Sequence, residues 1–361
     1  MKTLVYINPD CFFDTDLSVL KYLVAHFHVV WYPVYYTDRS IYYTPEKLKD
    51  YSAMYGIELH LCPRRYRQRD PRNLLFYGDI VDNINSHSPD LVFTCITEEI
   101  WWTIASARLD RKMCILGVHD VIKHSYGNVL KRKIQGMIQN HTIGTYANVC
   151  TFSENQRLLF VKTYGRQAVN LGMSCKDFGP SEVSPEPFAD GVKLLFFGSI
   201  VKYKGLGTVI GVIEKLYARG IRRFSLTVAG KGDDWELCKS EIRTPELYDL
   251  RIRFIDNSEI PGLMCSHHFL VLPYTDATQS GPLLIAMNYG LPVIAPDFGC
   301  FRDLYDSSSA VLYNDLEYAL RQVAEMSTEE YSRLKNNAVL LKEKNSEEVI
   351  ANNYISYFDS L

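Results

Sequence analysis

Two glycine-bearing strand ends carry the residues best suited to chemistry. The first is KLLFFGSIVKYKGLGTVIGVIEKL, residues 193–216. A buried strand ends at Gly198, a short loop follows, and Lys204-Gly205 opens a helix. Backbone N–H groups at a helix start, with the positive end of the helix dipole, favour an anion. Lys204 adds a full, mobile charge there. The spacing is not GxxxxGK[ST], so this is no P-loop. Without a ligand, the same pattern is a strand–helix turn with an exposed lysine. The second unit is YTDATQSGPLLIAMNYGLPVIAP, residues 274–296. A strand over 269–272 ends in Pro273-Tyr274, and a helix begins near Gly281-Pro282, proline being favoured in a first turn. The hydroxyl of Ser280 or Thr278 can cap it. Two helix starts on one sheet edge suit a diphosphate better than a lone carboxylate.

The first half of the chain holds weaker candidates. His119-Asp120 end a strand over 113–118, and strand ends are where doubly wound sheets bind ligands. A histidine beside an aspartate is also a common structural pair. Glu98-Glu99 follow a strand over 91–96. They could help an acceptor hydroxyl lose its proton, or simply cap a helix. Arg64-Arg65-Tyr66-Arg67-Gln68-Arg69, followed by Arg72, and Lys131-Arg132-Lys133 are basic runs. They read as solvated faces or as contacts for anionic headgroups or a phosphate-bearing acceptor. His267-His268 have no Cys, His or acid at ligand spacing; they read as structural, and no metal site is expected.

These residues need elements to position them, and strands alternate with helices along the whole chain. Leu4–Ile7, Val29–Val34, Leu91–Ile96, Met113–Val118 and Val149–Phe152 read as strands, with a helix over Asp16–Phe27 and another capped by Ser153. CKDFGPSEVSPEPFADG, residues 175–191, has no periodicity and reads as a linker. The rhythm then restarts with strands at Lys193–Phe197, Ser225–Ala229, Arg251–Ile255, Phe269–Leu272 and Val293–Ala295, and a helix from about Gly205 to Tyr217. This is an α/β pattern of two Rossmann-like, doubly wound domains facing a cleft. The expected limits are 1–175, a linker at 176–191, a second domain at 192–343, and a final helix in 344–361 with the option of packing back on the first domain.

Bulk properties agree with an ordinary globular protein. The chain has 361 residues, 47% hydrophobic and 22% charged, enough for two cores. Its nine scattered cysteines include no CxxC pair and suggest a reduced, cytoplasmic compartment. The N-terminus MKTLVYINPD does not read as a signal peptide, and no window approaches a membrane span. The net charge of −3 is uneven, about +4 over residues 1–180 and about −7 over the rest. A dehydrogenase is disfavoured, since no GxGxxG follows a strand in the first domain.

FFGSIVKYKG and VLPYTDATQSGPLLIAMNYGLPVIAPDFG resemble the donor-domain signatures of the large retaining glycosyltransferase family with the GT-B fold, the family 4-like or "group 1" glycosyltransferases. CTFSENQRLLFVKTYG (150–165) and VAGKGDDW (228–235) also match its pattern. The resemblance covers most of 110–310. It implies a nucleoside-diphosphate sugar as donor, a glycan or lipid-linked glycan as acceptor, and no required cofactor, metal or nucleic acid. It also implies work in surface polysaccharide synthesis, with possible contact at the inner face of the membrane. In the family's G-R-L-x-x-x-K-G element, Gly198, Lys204 and Gly205 match, but Ser199 stands where Arg is usual. The Glu-x7-Glu acids fall on Ala277 and Ile285. The chain is similar to a subgroup with YKG and TQSG elements. The resemblance then implies that Thr278, Gln279, Ser280 and the backbone of Gly281, Pro282 and Leu283 bind the distal phosphate and sugar. Asn257 is the nearest polar candidate for the base, and His119 for the sugar. A nucleotide-sugar epimerase of the same fold, or a non-catalytic partner subunit, would share these features.

Overall fold

Each apolar run followed by a helix builds one βαβ step, and the steps collect into two wholly parallel sheets. The computed structural model describes residues 1–36, 44–122 and 129–361. It divides into two units, Met1–Ser174 with Glu347–Leu361, and Cys175–Ser346.

The first unit contains β1 (Lys2–Pro9), β2 (Phe27–Tyr36), β3 (Glu58–Leu59), β4 (Cys62–Arg64), β5 (Leu91–Thr94), β6 (Cys114–Val118), β7 (Asn148–Thr151) and β8 (Val169–Asn170). Their order is β3-β2-β1-β5-β6-β7-β8, with β4 also on β2. Successive side chains of a strand point to opposite faces, and both faces here are covered. Leu4, Tyr6, Val29 and Trp31 enter one core, and Val5, Ile7, Val30 and Tyr32 the other. The Glu347–Asp359 helix belongs to this unit, and its Tyr354 and Phe358 make ring contacts with Phe93.

The second unit contains β9 (Val192–Phe197), β10 (Phe224–Ala229), β11 (Tyr248–Arg251), β12 (Phe269–Val271), β13 (Val293–Pro296) and β14 (Ala310–Tyr313), in the order β11-β10-β9-β12-β13-β14. The order reverses between β9 and β12. Loops leaving such a switch point splay apart and leave room for a ligand. In the first unit the same reversal lies between β1 and β5.

Some boundaries differ from the sequence reading. The strand expected at 251–255 lies earlier, because β11 pairs through Tyr248–Arg251 with Leu226–Ala229. Beyond it Arg253 turns to a carboxylate, that of Glu259, at 2.6 Å. The first helix spans Phe13–Leu23, earlier than the 16–27 expected, and β2 already begins at Phe27. The stretch from Cys175 lacks regular structure until Phe188, yet it is strapped to the second unit. Cys175 N–H donates to Asn345 O, Lys176 N–H to Leu284 O and Phe178 N–H to the Tyr289 hydroxyl.

Candidate functional site

The loops leaving β9, β10 and β12 brace one another through backbone contacts that only glycine permits. Gly198 N–H donates to Ala229 O, and Ile200 N–H to Lys231 O, both at 2.9 Å. A Cβ on Gly230 would lie 1.8 Å from Gly198 O. After Gly198 the chain makes one 3-10 turn, Lys202–Lys204, then enters the Leu206–Ala218 helix through Gly205. Gly205 sits at φ +69°, and a Cβ there would lie 2.0 Å from Pro273 O. A left-handed residue pressed against another backbone must be glycine. The same junction is held by Thr275 N–H donating to Tyr203 O at 2.8 Å.

The loop after β12 ends at the Gly281–Asn288 helix. Ser280, rather than Thr278, is its N-cap, accepting from Leu283 N–H at 3.4 Å. Pro282 occupies the first turn and has no N–H to offer, and the Leu283 N–H is engaged by the cap. Of Gly281 to Leu283, then, Gly281 is left to present a backbone N–H to a ligand; Leu283 is a core residue. Thr278 and Gln279 are half-buried at the loop, and Ser199 is exposed at the tip of the neighbouring one. Ala277 and Ile285 are both buried in the same apolar cluster as Leu283, so neither position presents a carboxylate to the loops. Asn257 opens the short turn before the Ile260–Cys265 helix and is half-buried.

Lys204 joins the two loops. It is buried, with 8% of its surface exposed. Its ammonium lies 3.2 Å from the point a Cβ on Gly198 would occupy, and Pro282 Cγ lies 3.6 Å from that same point. The ammonium is also 5.5 Å from the Tyr274 ring centre, a weakly favourable contact. Among the described residues no carboxylate pairs with it, and burial alone pulls its pKa down to about 8. An isolated buried ammonium is costly unless something anionic meets it. The sequence reading placed Lys204 on an exposed turn or at an anion site; its burial excludes the first.

In the first unit, His119 and Asp120 follow β6. The His119 ring is sandwiched between Phe12 and Phe152, with centroids 4.1 Å and 3.9 Å away and ring planes 8° and 16° from its own. Phe12 comes from the turn after β1 and Phe152 from the end of β7, so sequence spacing could not have linked them. The turn is fixed by two amides: Gln139 Nε2 donates to Asp120 O at 2.7 Å, and Gln156 Oε1 accepts from Val121 N–H at 2.8 Å. Beneath the end of β1, the buried Asp16 carboxyl accepts from the Tyr6 hydroxyl and Asn8 Nδ2, each at 3.0 Å. Burial lifts its pKa to about 8.

The acid and basic candidates sort by burial. Arg64 is not a surface charge: it is 5% exposed, its guanidinium is ion-paired with Glu99, and it stacks on the Tyr36 ring at 4.0 Å. Glu99 is therefore committed to Arg64 and is not placed to act as a base. Glu98 Oε2 accepts from Gln135 Nε2 at 2.9 Å. Arg65 and Arg67 are exposed and Arg132 is half-buried; the side chain of Lys131 lies outside the described residues. His267 and His268 are satisfied within the protein. His267 bridges Leu263 O and the Thr227 hydroxyl, both at 2.7 Å. His268 accepts from Lys193 N–H at 2.9 Å and donates to Glu186 O at 2.8 Å.

Residues 191–327 match the family model described as glycosyl transferases, group 1. Over this stretch the chain is similar to the group 1 glycosyltransferases, and the chain as a whole has the GT-B fold. The match holds β9 to β14 together with both loops around Lys204. No curated protein sequence matches the chain. Among solved structures, HepE of Anabaena, in complex with UDP and glucose, superposes with a TM-score of 0.71 at 14% identity, covering 100% of both chains. Sucrose-phosphate synthase of Thermosynechococcus elongatus gives 0.73 at 13% identity, covering 99% of each. WaaG, a glycosyltransferase involved in lipopolysaccharide biosynthesis, gives 0.67 at 13% identity, covering 98% of this chain and 99% of its own. At these identities the likeness speaks for the fold, and the similarity to group 1 glycosyltransferases rests on residues 191–327.

Proposed function

We propose that the chain is a retaining glycosyltransferase that moves a hexose from a nucleoside-diphosphate sugar to a glycan or lipid-linked glycan in surface polysaccharide synthesis. The observation that carries this reading is Lys204: a buried ammonium with no counter-charge among the described residues, set between two loops at the switch point of the sheet. A diphosphate supplies the missing negative charge. The Gly281 N–H, the Ser280 cap and the start of the Leu206–Ala218 helix add fixed dipoles around it. The similarity to group 1 glycosyltransferases and the UDP and glucose held by HepE support a nucleotide sugar as the ligand.

In the reaction, the bond from the sugar's anomeric carbon to the diphosphate oxygen breaks, and its electrons stay with the phosphate. Lys204 and the loop dipoles stabilise that growing charge, the step most in need of electrostatic help. The acceptor hydroxyl bonds to the anomeric carbon on the face the diphosphate leaves. Its proton passes to the departing phosphate oxygen, and the protein contributes the needed charge without a cofactor. Glu99, held by Arg64, is not assigned the base role. His119, its ring plane set by Phe12 and Phe152, is assigned to position the sugar.

The test is a thermal-shift screen of nucleoside diphosphates and nucleotide sugars, beginning with UDP and UDP-glucose, followed by transfer assays with wild type and His119→Ala. A stabilising nucleotide, with His119→Ala lowering kcat and sparing nucleotide binding, is the expected result. Stabilisation by none of them would favour a non-catalytic subunit. Epimerised nucleotide sugar formed without acceptor would favour the epimerase alternative.

Peripheral membrane contact is part of the same reading. Among the described residues no helix is long and apolar enough to cross a membrane. On the Val129–Thr145 helix, however, Leu130, Ile134 and Met137 are 68%, 40% and 72% exposed. Their i, i+4, i+7 spacing makes one apolar stripe, flanked by Arg132 and Lys133, as an interfacial helix requires. Leu130→Glu with Met137→Glu should abolish flotation with anionic vesicles; unchanged flotation would remove this contact from the proposal.

A further inference from the structure

Three of the nine histidines converge on a single carboxylate at the β3 edge of the first sheet. β3 lies in register with β2, Val30 opposite Glu58, so the two-residue side-chain period puts His28 and Tyr32 of β2 on the same face as Glu58 and His60. The Asn73–Ser86 helix covers that face, and His87 follows as its C-cap.

The distances are those of a closing ligand set. His60 Nε2 and His87 Nε2 each lie 2.9 Å from Glu58 Oε1, and His28 Nε2 lies 3.2 Å from Glu58 Oε2. The ligand atoms of Glu58, His60 and His87 all lie within 4.8 Å of one another. The nitrogen behind the His87 ligand atom is also committed. His87 Nδ1 donates to the Asn83 carbonyl at 2.8 Å. In a neutral imidazole that leaves Nε2 bare, pointing its lone pair at a carboxylate oxygen. Two lone pairs at 2.9 Å repel unless a proton or a cation lies between them. A carbonyl that fixes the far nitrogen in this way is the usual support of a metal-bound histidine. The His60 ring is held flat against Tyr32, at 4.8 Å and 11° between planes.

We propose that Glu58, His60 and His87, with His28 beside them, bind one divalent transition-metal ion. Imidazole and carboxylate donors with tetrahedral closure suit Zn2+, whose bonds to such ligands are about 2.0–2.2 Å. The site is structural. It joins β3, an edge strand of two residues, to the end of a helix, and so holds a sheet edge that backbone pairing alone secures weakly. The side chains of His28 and Glu58 are 49% and 39% exposed, so the ion has a path in. The proposal is independent of glycosyl transfer.

The untagged, chelator-treated full chain is titrated with Zn2+ by calorimetry and thermal shift, and with Co2+ as a spectroscopic probe. The expected result is one ion per chain and a Tm that climbs with Zn2+ concentration. Co2+ should show the intense visible bands of a tetrahedral complex. His60→Gln and His87→Gln should each weaken binding at least about tenfold, while His141→Gln, on an exposed position of another helix, leaves it unchanged. Circular dichroism confirms that each variant is folded. The proposal is overturned if Zn2+ binding in wild type is no tighter than in the His60→Gln, His87→Gln double variant. It is equally overturned if the cluster responds to pH alone, as a proton-bridged group would.

Discussion

Lys204→Met abolishes transfer and at the same time raises the melting temperature of the ligand-free protein. Methionine keeps the length and apolar body of the side chain and removes only its charge. Loss of one preorganised group facing the leaving diphosphate lowers kcat by at least about 100-fold. The stability change has the opposite sign, because the folded protein holds this ammonium at a penalty. Burial brings its pKa from 10.5 to about 8. At about 1.4 kcal/mol per unit, removing the charge returns on the order of 3 kcal/mol at neutral pH, several degrees in Tm for a domain of this size. The sign follows from proton counting. Between pH 8 and 10.5 the unfolded chain keeps a proton that the folded chain has released, so stability of the free wild type rises with pH across that window. The penalty is fully present below pH 8. Nucleotide affinity runs the other way, weakening above about pH 8 as the free site loses its charge. Wild-type transfer by Lys204→Met, or a lower Tm, would sink the assignment. Such opposition between stability and function is the mark of a residue kept for its ligand.

Arg64→Met is the second large effect, and it acts on stability alone. Arg64 and Glu99 are side chains with 6% and 12% of their surface exposed. Removing one partner of a buried pair leaves the other charge unpaired and costs about 3–5 kcal/mol. Burial already pushes the Glu99 carboxyl up, and the Arg64 guanidinium is the main force holding it down. In the variant Glu99 therefore takes up a proton more readily, so the loss measured by urea unfolding shrinks as pH falls. The double variant Arg64→Met, Glu99→Leu should recover most of the loss, because it strands no charge. A single variant as stable as wild type would show that the pair is solvated after all.

What the two variants share is a buried charge that spacing along the chain did not reveal. Arg64 stood in a run of five arginines between 64 and 72 and read as part of a charged surface. Its neighbours Arg65 and Arg67 do face solvent. A short strand, Cys62–Arg64, turns this one side chain inward. The same holds for the histidines at 28, 60 and 87, whose spacing in the sequence is not that of a ligand set. Only pairing of β2 with β3, under the end of the Asn73–Ser86 helix, brings them to one carboxylate. The sandwich around His119 likewise takes a ring from each of two other strand ends.

By itself the sequence determined the alternation of strands and helices, the fold class, the glycines at the strand ends, the cap at Ser153 and a hydroxyl cap at Thr278 or Ser280, between which the structure chose Ser280. These are local properties, set within four or five residues by side-chain period, backbone freedom and capping hydroxyls. It also marked Ala277 and Ile285 as departures from the donor pattern, and both are core residues. The tertiary structure decided what those local signals could not carry: which strands are neighbours, where the order reverses, and which polar groups are buried. Gly198, Lys204 and Pro282 meet because β9 and β12 lie side by side, and that adjacency is a matter of packing over many residues. Burial then changes the chemistry. An exposed Lys204 would be an ordinary surface cation; enclosed between two loops, with no carboxylate partner among the described residues, it is the charge the proposed diphosphate would meet.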